Sequence, residues 1–349
     1  MAKVHVMVLM GGPSAEYSVS MASGRVVFQA LTSLDEFDVD ALIIHENGEW
    51  QKTRNIPDEA MHPAALVHAA PPRSSTLQGF QLLEDVDIVF LALHGSFGED
   101  GTIQAVLDTL HIPYTGSGAL TSASAMNKHR AKELFQFHQL PTAPEFYVVP
   151  SKMESMGRLI PQIETRLGYP LVIKPNEGGS SVGIHMANNQ EQLREALERE
   201  LRNNVPLIVE KKMLGRELTC AVLEDYDGST LPLPIIEIVP RTGAFFDFTA
   251  KYVEGGSDEI CPAPIDHKNA RHIQDLAARA HQILGCKGFS RSDFILTSEG
   301  PVILELNTIP GMTPNSLLPK AARVFGLDFA QLVKRLVNLA LTSAPESKP

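Results

Sequence analysis

An aspartate, a glutamate and an asparagine share one short stretch of this chain, RSDFILTSEGPVILELN, from Arg291 to Asn307. All three offer hard oxygen donors, with no sulfur or imidazole among them. Such donors suit magnesium, which also takes phosphate oxygens and water. Two apolar runs, FIL and VILEL, flank the turn residues SEG, which is a hairpin pattern. Strand side chains alternate faces. Arg291 and Asp293 therefore share a face of the first strand, and Glu305 and Asn307 share a face of the second. A three-residue loop, Ser298-Glu299-Gly300, sets Asp293 across from Glu305 and Arg291 across from Asn307. Gly300 then supplies the left-handed residue that such loops favour. A two-residue loop sends the carboxylates to opposite faces; we expect the three-residue loop. Carboxylates roughly 5 Å apart on neighbouring strands repel, so one takes a proton or a cation lies between them. The plainer reading is a solvated outer face, where charged residues usually sit.

A magnesium site of this kind asks for a phosphate site elsewhere. KPNEGGSSVG, Lys174 to Gly183, packs glycines and serines between two short strand-like runs. Successive backbone N–H groups in such a loop cradle phosphate oxygens, and glycine lets the backbone approach closely. Lys174 ends the apolar run LVIK, where a lysine needs an anion or an exit to water. The stretch lacks the GK[ST] of a Walker loop and leads into a strand; an ordinary hairpin loop explains it too. Lys128, His129, Arg130 and Lys132 form a basic cluster on a helical segment, open to reading as a solvated face. Glu210 and Lys211 end the strand-like run LIVEKKM, either as a purine-binding edge or as exposed polar residues.

These pieces need elements to hold them. The N-terminal part alternates strand-like runs (VHVMVLM, FDVDALIIH, VDIVFLAL) with helical segments, the pattern of a parallel, doubly wound sheet. Ile103, Val106, Leu107 and Leu110 mark one face of such a helix. GGPSAE and HGSFGEDG lie beyond carboxyl ends of strands, where ligands bind in these sheets. Residues 47–75 break the alternation and read as a surface insertion. A helix is expected over 124–138, followed by a boundary loop at PTAPEF. Beyond it, strands come in antiparallel groups with flanking helices, suggesting two α+β units. Asp266 is placed to cap the helix HKNARHIQDLAARAHQILG, and a helix ends the chain. The polar loop running to about Pro264 contains Arg241–Ile260, expected to close as a lid.

Composition limits what such a chain does. At 349 residues it exceeds one ordinary hydrophobic core, and 44% hydrophobic against 20% charged residues is globular. A net charge of −11 argues against broad nucleic-acid binding, which wants a basic footprint. The three cysteines, Cys220, Cys261 and Cys286, have no metal or disulfide spacing and read as buried thiols. The start lacks a signal-peptide pattern, and no run reaches the roughly 20 apolar residues of a membrane span. A cytoplasmic location and no membrane partner are expected.

Taken in order, GGPSAEYSVS, HGSFGEDG, IPYTGSG, KPNEGGSSVG, AKY, RSDF and ELNTIPGMTPNS resemble the D-alanine–D-alanine ligases, ATP-grasp enzymes. The resemblance covers nearly the whole chain; residues 47–75 match least. It implies an N-terminal α/β domain over 1–125, followed by an ATP-grasp fold of two α+β domains, 126–213 and 214–349, with ATP between them. It also implies a homodimer, peptidoglycan precursor synthesis, and two magnesium ions, with manganese as a substitute and a monovalent cation besides. The carboxylate of one D-alanine attacks the γ-phosphate of ATP, and the amine of a second attacks the resulting acyl phosphate.

The resemblance assigns roles residue by residue. Asp293, Glu305 and Asn307 hold the metals. Lys128, Lys174, Gly179, Ser181 and Lys251 serve the phosphates. Glu210, Lys211 and Met213 hold adenine, and Glu217 the ribose. Glu16 pairs with the ammonium of the first D-alanine. Ser180 and Tyr252 link to Glu16 and order the mobile loop. Arg291 and the Gly311 N–H steady the oxyanion, and Ser316 with Leu317 clamps the second carboxylate. His94 and Glu99 line the same mouth. Tyr252 in AKY goes with D-alanine rather than a hydroxy acid as acceptor.

Overall fold

The computed structural model describes residues 2–56, 78–152, 155–179, 183–241 and 256–343. β1 (Val4–Gly11), β2 (Phe37–Ile44), β3 (Trp50–Thr53) and β4 (Ile88–Leu91) form a sheet in the order β3-β2-β1-β4. β1 runs parallel to both β2 and β4. β3 pairs antiparallel with β2, so the expected parallel sheet is mixed, and part of the expected insertion is its edge. Alternation along β1 sorts two cores. Val6, Val8 and Met10 pack with Val27 and Leu31 of the helix Tyr17–Thr32 and with Leu332 and Leu336 of the C-terminal helix Phe329–Ser343. Met7 and Leu9 pack on the other face with Ile103 and Leu107. Strands buried on both faces must read as continuous apolar runs, as these do.

β5 (Glu145–Val148), β6 (Leu171–Pro175), β7 (His185–Ala187) and β8 (Leu207–Lys211) make an antiparallel sheet ordered β5-β8-β6-β7. β5 begins inside PTAPEF, the segment expected to be a boundary loop, so the last two residues of that segment, Glu145 and Phe146, are strand. Helices Met156–Leu167 and Gln190–Glu200 cover one face through Ile160, Ile163, Leu193 and Leu197.

The third sheet contains β9 (Arg216–Glu224), β10 (Thr230–Pro232), β11 (Ile236–Pro240), β12 (Ser257–Ile260), β13 (Phe289–Thr297) and β14 (Gly300–Asn307). Its order is β12-β11-β9-β13-β14, with β10 beside β9. β12 pairs with β11, so the end of the expected lid is an edge strand; residues 242–255 lie outside the described residues. The helix His267–Leu284 packs on this sheet through Ile273, Leu276, Ala277 and Ala280. Asp266 caps it as expected, accepting from the N–H groups of Lys268 (3.0 Å) and Asn269 (2.9 Å). Gly285 ends it at φ 73°, a left-handed cap that favours glycine. Cys220 and Cys286 are buried, and burial pushes both thiols up to about 12.

The expected helix over 124–138 is two helices, Ala119–Met126 and Lys128–Phe137, broken at Asn127. The Asn127 side chain accepts from Arg130 N–H at 3.0 Å and so caps the second helix. That helix packs Ala131 and Phe135 against the core under the third sheet. A further helix, Leu317–Phe325, follows the turn-rich run; its Pro319 lies in the first turn, where a missing N–H costs nothing.

The hairpin of β13 and β14 pairs Asp293 with Glu305 and Arg291 with Asn307, as expected, but by another route. Its loop has two residues, Ser298-Glu299, because Thr297 pairs with Gly300. The register then shifts between Asp293 and Phe294, leaving Leu304 as the extra residue of a β-bulge. A two-residue loop alone separates the carboxylates; the bulge returns them to one face.

Candidate active site

The hairpin presents its polar residues with their charges already matched. Arg291 donates through Nε and Nη2 to Oδ1 and Oδ2 of Asp293, both at 2.9 Å. Thr219 Oγ1 donates to Asp293 Oδ1 at 2.6 Å, and Asn307 Nδ2 to Oδ2 at 3.3 Å. Lys128 Nζ lies 3.9 Å from Glu305 Oε2. The cations demanded by two facing acids are thus supplied in part by the protein. Among the described residues no three His, Cys, Asp or Glu side chains group for a metal; here the third oxygen donor is an asparagine. Two carboxylates and an amide converging on one sheet face fit a hard divalent cation.

Lys174, at the end of β6, is buried and donates to Glu210 Oε2 at 2.8 Å. Burial pulls its pKa down, but Glu210 and then Glu305 outweigh that and hold it above the ordinary lysine value. Burial likewise pushes Glu210 up, yet Lys174 and Lys132 bring it down to about 2. Both groups stay charged because each has the other.

The loop after β6 is fastened to the start of the helix Lys128–Phe137. Lys128 donates from its N–H to Asn176 O at 3.0 Å and from Nζ to Gly178 O at 2.6 Å. His129 N–H donates to Asn176 Oδ1 at 2.9 Å. Asn176, buried and passed over in the sequence, joins lysine helix and glycine loop. Beyond it, a Cβ on Gly179 would fall 2.8 Å from Glu16 Oε2, and one on Gly95 only 2.5 Å from the same atom. Glycine at both positions lets the two loops close on the Glu16 carboxylate, which is buried at the start of the helix Tyr17–Thr32.

His94 and Glu99 stand behind Glu16. His94 is buried with both ring nitrogens engaged, Nε2 with Ser23 Oγ (3.0 Å) and Nδ1 with Ile309 O (3.1 Å). Burial lowers its pKa to about 4, so the ring is neutral near pH 7. It fastens the 308–316 loop rather than presenting a group to a ligand. Glu99 accepts from Gly95 N–H at 2.8 Å and from Ile309 N–H at 3.3 Å. Burial, and then Glu16, push its pKa up to about 8. Met312 N–H reaches Ser23 Oγ at 3.3 Å, completing the tie between first and last units.

On that same loop Gly311 and Ser316 are neighbours: a Cβ on Gly311 would come within 2.8 Å of Ser316 Oγ. Ser316 Oγ also accepts from Thr313 N–H at 3.1 Å, and Leu317 opens the following helix. Lys211 turns its Nζ to Tyr169 O (2.7 Å). Met213 and Glu217, half-buried, lie at the junction of β8 and β9. Ser180, Ser181, Lys251 and Tyr252 lie outside the described residues. Lys132, read as part of a solvated face, is 1% exposed and ion-paired with Glu210. Its place one turn from Lys128 and Phe135 was the signal: i, i+3 and i+4 positions share a helix face.

Two family models match, described as D-ala D-ala ligase N-terminus over residues 5–117 and D-ala D-ala ligase C-terminus over 134–338. The chain is 41% identical to a D-alanine–D-alanine ligase of Leptospira interrogans, over 98% of this chain and 99% of that one. A ligase of the same name from Nitratidesulfovibrio vulgaris is 40% identical, over 97% of this chain and 99% of its own. Among solved structures, the Bacillus anthracis D-alanine–D-alanine ligase complexed with ATP superposes at TM-score 0.77. That match covers 99% of this chain and 100% of the other, at 26% identity. The VanG D-Ala:D-Ser ligase from Enterococcus faecalis superposes at TM-score 0.79 with 30% identity, covering 97% of this chain and 99% of that one. With both halves matched and relatives aligned almost end to end, this chain belongs to the D-alanine–D-alanine ligase family.

Proposed function

We propose that this protein joins two D-alanine molecules into D-alanyl-D-alanine at the expense of ATP, releasing ADP and phosphate, for peptidoglycan precursor synthesis. Glu16 takes the ammonium of the first D-alanine and so aims its carboxylate toward the glycine loop. Lys128 and Lys174 receive the phosphates, a role that extends to Gly179, Ser181 and Lys251. Glu210, Lys211, Met213 and Glu217 hold adenine and ribose. The D-alanine carboxylate displaces ADP from the γ-phosphorus and forms an acyl phosphate. The amine of the second D-alanine, its carboxylate held by Ser316 and the Leu317 backbone, then attacks the activated carbonyl. The Arg291 guanidinium and the Gly311 N–H steady the oxyanion until phosphate leaves. Ser180 and Tyr252 close the site through Glu16, keeping water from the acyl phosphate.

Magnesium or manganese, held by Asp293, Glu305 and Asn307, neutralises phosphate charge when bound. The division into domains at 1–125, 126–213 and 214–349, a homodimer, a cytoplasmic location and a monovalent cation complete the proposal.

The observation that carries this reading is the position of Glu16, packed against Gly179 of the loop that leaves Lys174. The carboxylate proposed for the ammonium and the loop proposed for the phosphates meet there. Incubation with ATP, magnesium and D-alanine tests it by mass spectrometry: the dipeptide and ADP are expected in equal amounts. ADP release without dipeptide overturns the reading. Arms with D-serine or D-lactate added to D-alanine measure the acceptor; a mixed product in excess of D-alanyl-D-alanine replaces D-alanine as second substrate.

A further inference from the structure

β5 and β8 pair Glu145 directly with Glu210. The two are 7% and 4% exposed, so two carboxylates stand side by side away from water. Lys132 fills the space between them. Its Nζ donates to Glu210 Oε1, lies 3.6 Å from Glu145 Oε2 and reaches Ala143 O at 3.4 Å. His129 Nδ1 takes the other Glu145 oxygen at 2.6 Å. Glu145 Oε2 has no hydrogen-bond partner among the described residues. Burying a lysine this deeply is costly unless it is paired, and the proposed chemistry gives Lys132 no contact with a reacting atom.

Its use follows from what Lys174 does. Here Glu210 divides its oxygens between two lysines, Oε1 to Lys132 and Oε2 to Lys174. Lys174 stands at the ligand end of β6, where a triphosphate competes for it. Once Lys174 turns to phosphate, Glu210 is left facing Glu145, and two like charges this close cannot both stay ionised without a cation. We propose that Lys132 is the positioning residue that keeps Glu210 an ionised acceptor after Lys174 is given to the nucleotide, and that it thereby sets the preference for a 6-amino over a 6-oxo purine. An ionised carboxylate accepts from an amino group and repels a carbonyl oxygen. A protonated one donates, and favours the carbonyl. The inference rests on the proposed nucleotide site at Glu210.

Calorimetric Kd values for ATP and ITP, which differ at that position, test it in the full-length protein alongside steady-state kinetics. Lys132→Met is expected to weaken ATP about tenfold or more, the scale of a lost charge-assisted hydrogen bond. The ATP-over-ITP preference should shrink by a similar factor. KM for D-alanine and kcat at saturating ATP should stay within about threefold, because that bond is made equally in ground and transition states. An unchanged purine preference overturns the proposal, as does a fall in kcat with the nucleotide Kd intact. Should Lys132→Met not fold, Lys132→Gln, neutral but still a donor, is read by the same criteria. Wild-type binding of ATP without dipeptide formation overturns the ligase reading alone; wild-type protein that binds both purines equally overturns this inference alone.

Discussion

Two buried groups of acids stand in this molecule, and under the same push from burial they end in opposite charge states. Around Glu210, each carboxylate faces a lysine, and the environment drives the groups toward charge: Glu210 falls to about 2. Around Glu16, Glu99 and His94 bond to backbone groups and the Ser23 hydroxyl; Glu16 repels Glu99, and Arg291, already paired with Asp293, acts on both more weakly. There the environment drives the groups toward neutrality, Glu99 up to about 8 and His94 down to about 4. Desolvation is the leading influence in all three. What decides the outcome is whether a counter-charge was folded in beside the group. A site already paired must give up a partner to take a ligand, as Lys174 must. Glu99, poised near neutrality, instead gains charge when a cationic ligand arrives beside its cluster.

The harshest way to break this contrast is to remove the shared carboxylate. We predict that Glu210→Gln destabilises the protein by about 3–5 kcal/mol, because it takes the shared anion from two buried lysines and leaves Lys132 only Glu145, at 3.6 Å. Denaturant unfolding measures it; a loss below about 1 kcal/mol, the scale of a surface pair, would show that the paired cluster is not held by its charges. Next comes Glu305, which reaches toward Lys128 and adds to the field on Lys174. Glu305→Gln keeps the strand pairing and removes a charge, so the fold should survive. Turnover is expected to drop by roughly a hundredfold or more, the scale of losing one electrostatic stabiliser. Near-normal turnover contradicts the metal assignment.

The neutral cluster is sharpened by pH. Glu99 has a folded pKa of about 8 against an ordinary 4.5, so its contribution is complete below 4.5 and lost as pH rises toward 8. His94 is depressed from 6.5 to about 4; its contribution is complete above 6.5 and lost as pH falls toward 4. Where those windows overlap, from 4.5 to 6.5, the two oppose each other, so the clean measurement for Glu99 lies above 6.5. We predict that wild-type stability declines by at most about 2 kcal/mol from pH 6.5 to 8, and that Glu99→Gln flattens the decline. Parallel curves for both proteins would place the titrating group elsewhere.

These clusters also show what the sequence makes legible. The pairing of Asp293 with Glu305 was readable because period-two alternation and a glycine-bearing turn constrain it. The route was not: the bulge at Leu304 is one apolar residue within an apolar run and leaves no mark. The parallel strands β1, β2 and β4 announce themselves as buried apolar stretches. β3, β5 and β12 lie at sheet edges and run four residues each, and β3 and β12 are also polar, as edges that discourage further pairing are. Those traits made them look like loops. The motifs lead to Glu16, Lys174 and Glu210, but no motif in the sequence separates Lys132 from a solvated helix face. A lysine's partner across a helix–sheet contact is set by tertiary packing, and the carboxylate that holds Lys132 lies on β8.

The mildest test sets the zero of the comparison. Lys334, on the C-terminal helix, pairs with Glu36 ahead of β2 at 2.7 Å, both side chains more than a third exposed. The pair joins the two ends of the chain across the first sheet, much as Lys132 joins two strands. Yet water screens it, and fixing two long side chains offsets most of the attraction. We predict that Lys334→Ala changes stability by less than about 0.5 kcal/mol. It should also move KM for ATP and for D-alanine by nothing measurable, since neither cluster depends on it. Equal losses in Lys334→Ala and Glu210→Gln would mean that geometry alone, and not desolvation, governs the worth of an ion pair here.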